Sequence, residues 1–154
     1  KVLSTGMVIH EPNELLHQKS DPVEDFAEVK RIAGDLLITV KRWGKARWWH
    51  PFLGIAAPQI GFMRRIIVTQ RWWNHYTIMI NPVIVKSRIP VPYMERCYSV
   101  DGMYLVKRYL WARVRYQDVS GVRHETVIVG PSALYQEIDH LNGILVSQIG
   151  MRIL

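Results

Sequence analysis

The chain has a single cysteine, Cys97, among its 154 residues, which excludes an intramolecular disulfide framework. A lone thiol is an inert buried side chain, a nucleophile or a metal ligand, and the last two need partners supplied by the fold. No apolar run approaches the roughly 20 residues of a membrane-spanning helix, so no membrane span is expected. Acidic residues are in deficit: 13 Asp and Glu against 20 Lys and Arg leave a net charge of +7. That balance invites nucleic acid, ribosome or anionic lipid as a partner. No RNP, KH, zinc-finger or basic-helix signature accompanies it, so nucleic-acid binding rests on charge alone. Internal repeats and low-complexity segments are absent. The chain opens on Lys1 rather than Met, the expectation being a trimmed chain whose targeting peptide lies outside it. Hydrophobic residues at 49% and charged residues at 21% fit one soluble globular domain over residues 1–154, long enough for a real core.

From Val8 to Ser20 the chain mixes Pro12, Asn13 and charges, and reads as extended chain and turn. Ser20-Asp21-Pro22-Val23-Glu24 has the pattern of a helix start, with Ser20 or Asp21 as cap and Pro22 in the first turn. Phe26, Val29, Ile32, Ala33, Leu36, Leu37 and Val40 recur at threes and fours, which predicts a helix to about Arg42. From Arg42 to Pro51 cations alternate with Trp43, Trp48 and Trp49 without a period, and the stretch reads as a loop. Such residues stack on bases, sit at a membrane interface or, most often, cover one another by cation–π packing.

Small residues from Gly54 to Ala57 allow close backbone approach, and Gly61 marks a turn. β-Branched content predicts strands at Arg65–Thr69, Tyr76–Ile80, Val83–Lys86, Val91–Glu95, Tyr104–Lys107, Ala112–Gln117 and His124–Val129. Gln70–His75, carrying Trp72 and Trp73, reads as a hairpin loop, and Asp118–Gly121 as a turn. Gly130-Pro131-Ser132 stops the sheet, and Ser132 can cap the helix that follows. Strands in series followed by a helix point to an α+β fold in which that helix covers an antiparallel sheet.

The helix expected at Ala133–Gly143 is the most informative stretch. Ala133, Leu134, Ile138 and Leu141 form an apolar stripe, while Gln136 and His140, four apart, share a face with Glu137 beside them. This is the layout of a helical zinc motif with Gln in the first ligand position. The plain alternative is a buried amphipathic helix carrying one hydrogen-bonded His. Glu137 alone would be a solvated charge and Asp139 a structural hydrogen-bonder. His10, His17, His50, His75 and His124 lack partners at ligand spacing and read as surface residues.

Taken together, GIAAPQIG from Gly54, ERCYS from Glu95 and QEIDHLNG from Gln136 resemble the three motifs of the peptide deformylases, in the family's order. The resemblance spans nearly the whole chain. It implies a deformylase-like α+β fold, antiparallel sheets around a central C-terminal motif helix plus an N-terminal helix. It implies a metallohydrolase removing the N-formyl group from N-formylmethionyl nascent polypeptides. By that resemblance one Fe²⁺ or Zn²⁺ would be held by Cys97 and His140, with Gln136 as a weak or lost ligand. Glu137 would be the base, and Gln59 with the backbone N–H of Tyr98 the oxyanion donors. Leu53, Gly54, Ile55, Glu95 and Arg96 would line the substrate cleft.

Four positions depart from the family pattern. Gln136 stands where the family has His, and offers only a neutral carbonyl oxygen, a weak donor to Fe or Zn. Arg96 replaces a Gly beside Cys97, Phe52 replaces the first Gly of the cleft motif, and Tyr98 replaces a smaller aliphatic residue. The alternative is therefore an impaired or inactive deformylase-fold protein that binds peptide, ribosome or RNA, its metal weakly held or absent. N-formyl-Met peptides are the expected partners; the resemblance admits the ribosome and leaves oligomerisation open. Formylated substrates imply a bacterium or an organelle of bacterial descent. The Trp-bearing stretch before Gly54 favours a mitochondrion over a bacterial cytoplasm.

Overall fold

A computed structural model describes residues 7–46, 52–72 and 75–154. In chain order it forms α1 (Val29–Ala46), β1 (Gly54–Ala56), β2 (Ile66–Gln70), β3 (Tyr76–Cys97), β4 (Val100–Gln117), β5 (Arg123–Val129), α2 (Leu134–Leu141), α3 (Val146–Ile149) and β6 (Met151–Arg152). The strands make an antiparallel sheet in the order β1-β2-β3-β4-β5, with β6 pairing β4. This is the α+β architecture expected from the sequence.

Period-2 alternation explains how two helices share the sheet. In β2, Ile66 and Val68 face one side and Ile67 the other, and all three are fully buried. The first face receives Val29, Ile32, Leu36 and Val40 of α1. The second receives Leu134, Tyr135, Ile138 and Leu141 of α2, packed on Ala56, Met79, Ala112 and Val114. A third cluster, with Leu16, Tyr104, Val106 and Leu145, backs Cys97 at the far end of the β3–β4 hairpin. α2 is thus enclosed by the sheet, and its polar residues are carried into the interior with it.

Several expected boundaries move. Ser20 and Asp21 do not start a helix: Asp21 forms an isolated parallel bridge with Arg64, and Asp25 caps a 3₁₀ turn at Phe26–Glu28 by accepting from the Ala27 N–H at 2.9 Å. α1 follows directly and runs on to Ala46, so Arg42–Ala46 is helical rather than loop; residues 47–51 lie outside the described residues. The N-terminal segment, expected as extended chain and turn, forms its turn as a 3₁₀ helix at Glu14–His17. The predicted strands from Tyr76 to Glu95 fuse into one 22-residue strand, and those from Tyr104 to Gln117 into one of 18. Bulges between Ile80 and Val83 and between Ile84 and Lys86 absorb the irregular pattern that suggested separate strands.

Asn81 sits in the first of these bulges with φ 52°, in the left-handed region that Asn tolerates. Its side chain accepts from Val23 N at 2.8 Å and donates to Val23 O at 2.9 Å and Gln117 Oε1 at 3.0 Å. One amide therefore ties the segment before α1 to two strands. Asn81→Ala should cost about 2–4 kcal/mol by urea denaturation, from lost hydrogen bonds and strained backbone. Asn81→Gly, which relieves the backbone only, should recover about 1 kcal/mol of that loss.

Candidate active site

The three motifs converge where α2 meets β1 and the β3–β4 turn. Cys97 ends β3, and its Sγ lies 3.2 Å from His140 Nε2 and accepts from the Ser99 N–H at 3.4 Å. Gln59 Nε2 lies 3.9 Å from the same sulfur and donates to Ser99 Oγ at 3.0 Å. Its Oε1 accepts from Ala56 N at 2.9 Å, which fixes the amide orientation and aims the NH₂ toward Cys97. The N-terminal segment ties these parts together, since Ile9 N donates to Gln59 O at 2.7 Å and Glu11 N to Ser99 O at 2.9 Å.

Glu137 is 1% exposed, and neither carboxylate oxygen finds a hydrogen bond among the described residues. Burial, then the charge of Glu95, pushes its pKa well above the usual carboxylate range. His140 is equally buried; desolvation, then the Arg108 charge, pushes its pKa down to about 4, so the imidazole is neutral at pH 7. Gly54 makes the closeness of helix and strand possible. A Cβ there would come within 2.6 Å of Glu137 Oε2 and 2.7 Å of Ala133 Cβ.

A residue that the sequence reading passed over organises the surroundings. Arg108 on β4 donates to Glu95 from Nε at 2.7 Å and from an Nη at 2.8 Å, and to Asp139 from the other Nη at 2.7 Å. Burial opposes its charge, but the hydrogen bond to Glu95 and the two carboxylate charges outweigh it and hold its pKa above the ordinary guanidinium value. Its signal was available: β4 turns Tyr104, Val106, Ala112 and Val114 inward, and Arg108 shares their phase. A cation at an inward strand position implies buried carboxylate partners. Asp139 is the structural hydrogen-bonder expected of it.

The other expected residues divide. Leu53, Gly54, Glu95 and Arg96 line a cleft of about 120 Å³ together with Phe52, Tyr98 and Met103. Ile55 does not: it is fully buried and packs into the α1-side core, because alternation along β1 turns it away from α2. Glu95 reaches the cleft with both its oxygens bound by Arg108, which braces that wall. Gln136 Nε2 donates to Glu95 Oε1 at 3.1 Å and to Arg96 O at 3.2 Å. Both partners are acceptors, so only the carbonyl oxygen of Gln136 remains as a donor to an ion. Trp43 packs on Tyr98 with centroids 4.9 Å apart, a structural use for one member of the Trp–cation stretch. His10, His17 and His124 are surface residues near Asp101, Glu11 and Asp118, and His75 is exposed; His50 lies outside the described residues.

Residues 6–150 match the family model of the polypeptide deformylases. A peptide deformylase of Thermus thermophilus is 33% identical over 150 residues, which cover 85% of this chain and 74% of that protein. One of Mesorhizobium japonicum is 36% identical over 143 residues, 87% of this chain and 77% of the other. Among solved structures, the Thermotoga maritima peptide deformylase superposes with a TM-score of 0.83 at 25% identity, covering 96% of this chain and 98% of that one. A class I type b peptide deformylase of Acinetobacter baumannii, solved bound to Met-Ala-Ser, gives 0.83 at 26% identity, over 95% and 99%. Fold and matches define a class, the metal-dependent hydrolases. The chain belongs to the peptide deformylase family.

The donor set fits such an ion only in part. Zn–S and Zn–N bonds around a tetrahedral ion separate their two donor atoms by about 3.6 Å, close to the observed 3.2 Å between Cys97 Sγ and His140 Nε2. The neutral imidazole keeps a lone pair for a metal, and the donorless Glu137 carboxylate is buried alongside. Among the described residues, however, no group of three His, Cys, Asp or Glu side chains is placed to hold a metal ion.

Two measurements check this electrostatic picture. Arg108→Met leaves Glu95 and Asp139 partly buried and unpaired, and should cost about 3–5 kcal/mol in urea denaturation. The raised pKa of Glu137 means that the metal-free folded chain keeps a proton that the unfolded chain releases above about pH 4.3. Stability is therefore lost as pH rises above that value, until the folded pKa is reached. Glu137→Gln removes the dependence. In EDTA, its stability relative to the parent should grow between pH 5 and pH 7 by up to about 1.4 kcal/mol per unit.

Proposed function

We propose that the chain is a divergent peptide deformylase that hydrolyses the N-formyl group of N-formylmethionyl peptides, with a weakened metal site. The observation that carries it is the buried grouping of Cys97, His140 and Glu137, with the Gln59 amide aimed at the same sulfur. Cys97 and His140 would hold one Fe²⁺ or Zn²⁺, completed by the Gln136 carbonyl or a water. When bound, the ion supplies Lewis acidity and lowers the pKa of water at the site toward neutrality.

The chain's own residues do the rest. Gln59 Nε2 and the Tyr98 N–H supply donors where charge develops on the formyl oxygen. Glu137 takes a proton from the attacking water and delivers it to the departing amine. Gly54, lacking a side chain, lets the carboxylate stand at the edge of the substrate strand. Apolar lining from Leu53, Tyr98 and Met103 suits a Met side chain.

A second reading, a catalytically impaired protein that binds formyl peptides or the ribosome, is favoured by Gln136. Its NH₂ is committed to Glu95 and Arg96, and an amide oxygen is a poor substitute for imidazole. We read the setting as an organelle of bacterial descent, mitochondrial by preference, on the charge of +7 and the Trp-bearing stretch.

Metal content of anaerobically purified protein, beside Gln136→His, separates the readings. The parent should carry clearly less than one Fe or Zn per chain and the variant close to one. The affinity gain should exceed the roughly 10–100-fold that loss of a supporting metal-site partner costs. Formate release from formyl-Met-Ala-Ser should follow metal occupancy in both proteins. Failure of the metal-filled variant to release formate would reject the hydrolase reading and leave the binder.

A further inference from the structure

Three charged residues line the cleft, and two of them are buried within the fold. Glu95 is 7% exposed, with both oxygens bound by Arg108, and Glu137 is 1% exposed beneath Gly54. Arg96 is the third, and it is exposed. The extra residues between the register pairs Glu95↔Tyr104 and Cys97↔Val100 lie on β4, so Arg96 keeps the alternation of β3 and stands exposed at the cleft rim between buried Glu95 and Cys97. The Gln136 amide donates to its carbonyl at 3.2 Å and pins the backbone, leaving the guanidinium as the adjustable part.

All 13 acidic side chains of the sequence lie among the described residues, and none forms an ion pair with Arg96. The remaining cleft wall is largely apolar or aromatic, with Phe52, Leu53, Met94 and Met103 contributing. An exposed cation standing over an apolar recess matches a ligand with an apolar side chain and a nearby anionic group. Guanidinium pairs with carboxylate through two parallel hydrogen bonds, a geometry that Lys or a backbone amide does not reproduce.

We infer that Arg96 makes the cleft selective for acidic formyl peptides, those with an Asp or Glu side chain in the two residues after formyl-Met. The inference rests on the deformylase reading for the formyl-Met part of the ligand, while the preference itself is a property of the rim. An exposed pair contributes modestly and is screened by salt, so the selectivity is a ratio between peptides and not an absolute requirement.

The test uses the full chain and four peptides, formyl-Met-Asp-Ser, formyl-Met-Lys-Ser, formyl-Met-Ala-Asp and formyl-Met-Ala-Lys. Turnover is read as formate release by the metal-loaded protein, and binding is read separately by calorimetry. At 50 mM salt the acidic member of at least one pair should be favoured about three- to tenfold, declining toward unity at 0.5 M. Arg96→Gln should collapse the ratio, and Arg96→Glu should invert it. A merely structural Arg96 would lower all four peptides together and leave the ratio intact. Turnover with equal rates for acidic and basic peptides overturns the inference and leaves the deformylase reading standing. Absent turnover with an acidic binding preference that Arg96→Gln removes supports the inference and sinks the hydrolase reading. Binding of none of the peptides overturns both.

Discussion

Arg108 is the constraint on which the site depends. A cation carried into the interior on β4 must be matched there, because an unpaired buried charge is too costly to keep. Glu95 on β3 and Asp139 on α2 match it, at distances of 2.7–2.8 Å. These are the strand that ends in Cys97 and the helix that carries Glu137 and His140. A single guanidinium therefore sets the spacing between the thiol and the helix opposite it. Its fork has fixed directions, so it specifies orientation as well as distance. The same positive charge also reaches His140 and helps keep the imidazole neutral. The ion pair contributes little net stability compared with an apolar isostere; its value lies in geometry.

Seen from that frame, Gln136 has not left a gap in the structure. Its NH₂ bridges α2 to the Glu95 side chain and the Arg96 backbone, so the helix remains stitched to β3 at the position where an imidazole ligand would stand. A metal ion joins the same two elements by coordination; the amide joins them by hydrogen bonds to acceptors of the strand. Hydrogen bonds from this one amide hold the start of α2 to β3. The Glu137 carboxyl is buried without donors beside another acid, and burial, then the Glu95 charge, raises its pKa.

Local patterns were legible where one physical rule dominated. The 3.6-residue period from Val29 to Val40 announced α1, and β-branched runs announced β2 and β5. The three motifs gave Gln59, Cys97, Glu137 and His140, which the fold does gather. What the sequence hid depended on long-range register. The helix start at Ser20–Pro22 satisfied every local capping rule, but Asp21 is drawn into a bridge with Arg64, and the cap falls to Asp25. The long β3 reads as fragments because its bulges break the alternation that marks a strand. Ile55 reads as cleft lining by proximity in sequence, yet strand parity sends it to the opposite face. Arg108 lay outside any motif and could be found only by asking why a cation shares the phase of Tyr104 and Val106.

The four departures from the family pattern are scattered in sequence but not in space. Phe52 precedes β1, Arg96 and Tyr98 flank Cys97, and Gln136 opens α2, yet all four line the same cleft. Gln59, Ser99 and Glu137 carry polar atoms that are costly to bury. Their burial is nearly complete at 1%, 0% and 1% exposure. Phe52, Arg96 and Tyr98 stand on the rim and wall, and two of them find aromatic partners. Phe52 meets the edge of Trp72 at 5.2 Å, and Tyr98 packs on Trp43 at 4.9 Å. An apolar and aromatic wall beside a buried polar cluster limits what the cleft admits by size and charge, with Arg96 as its exposed cation.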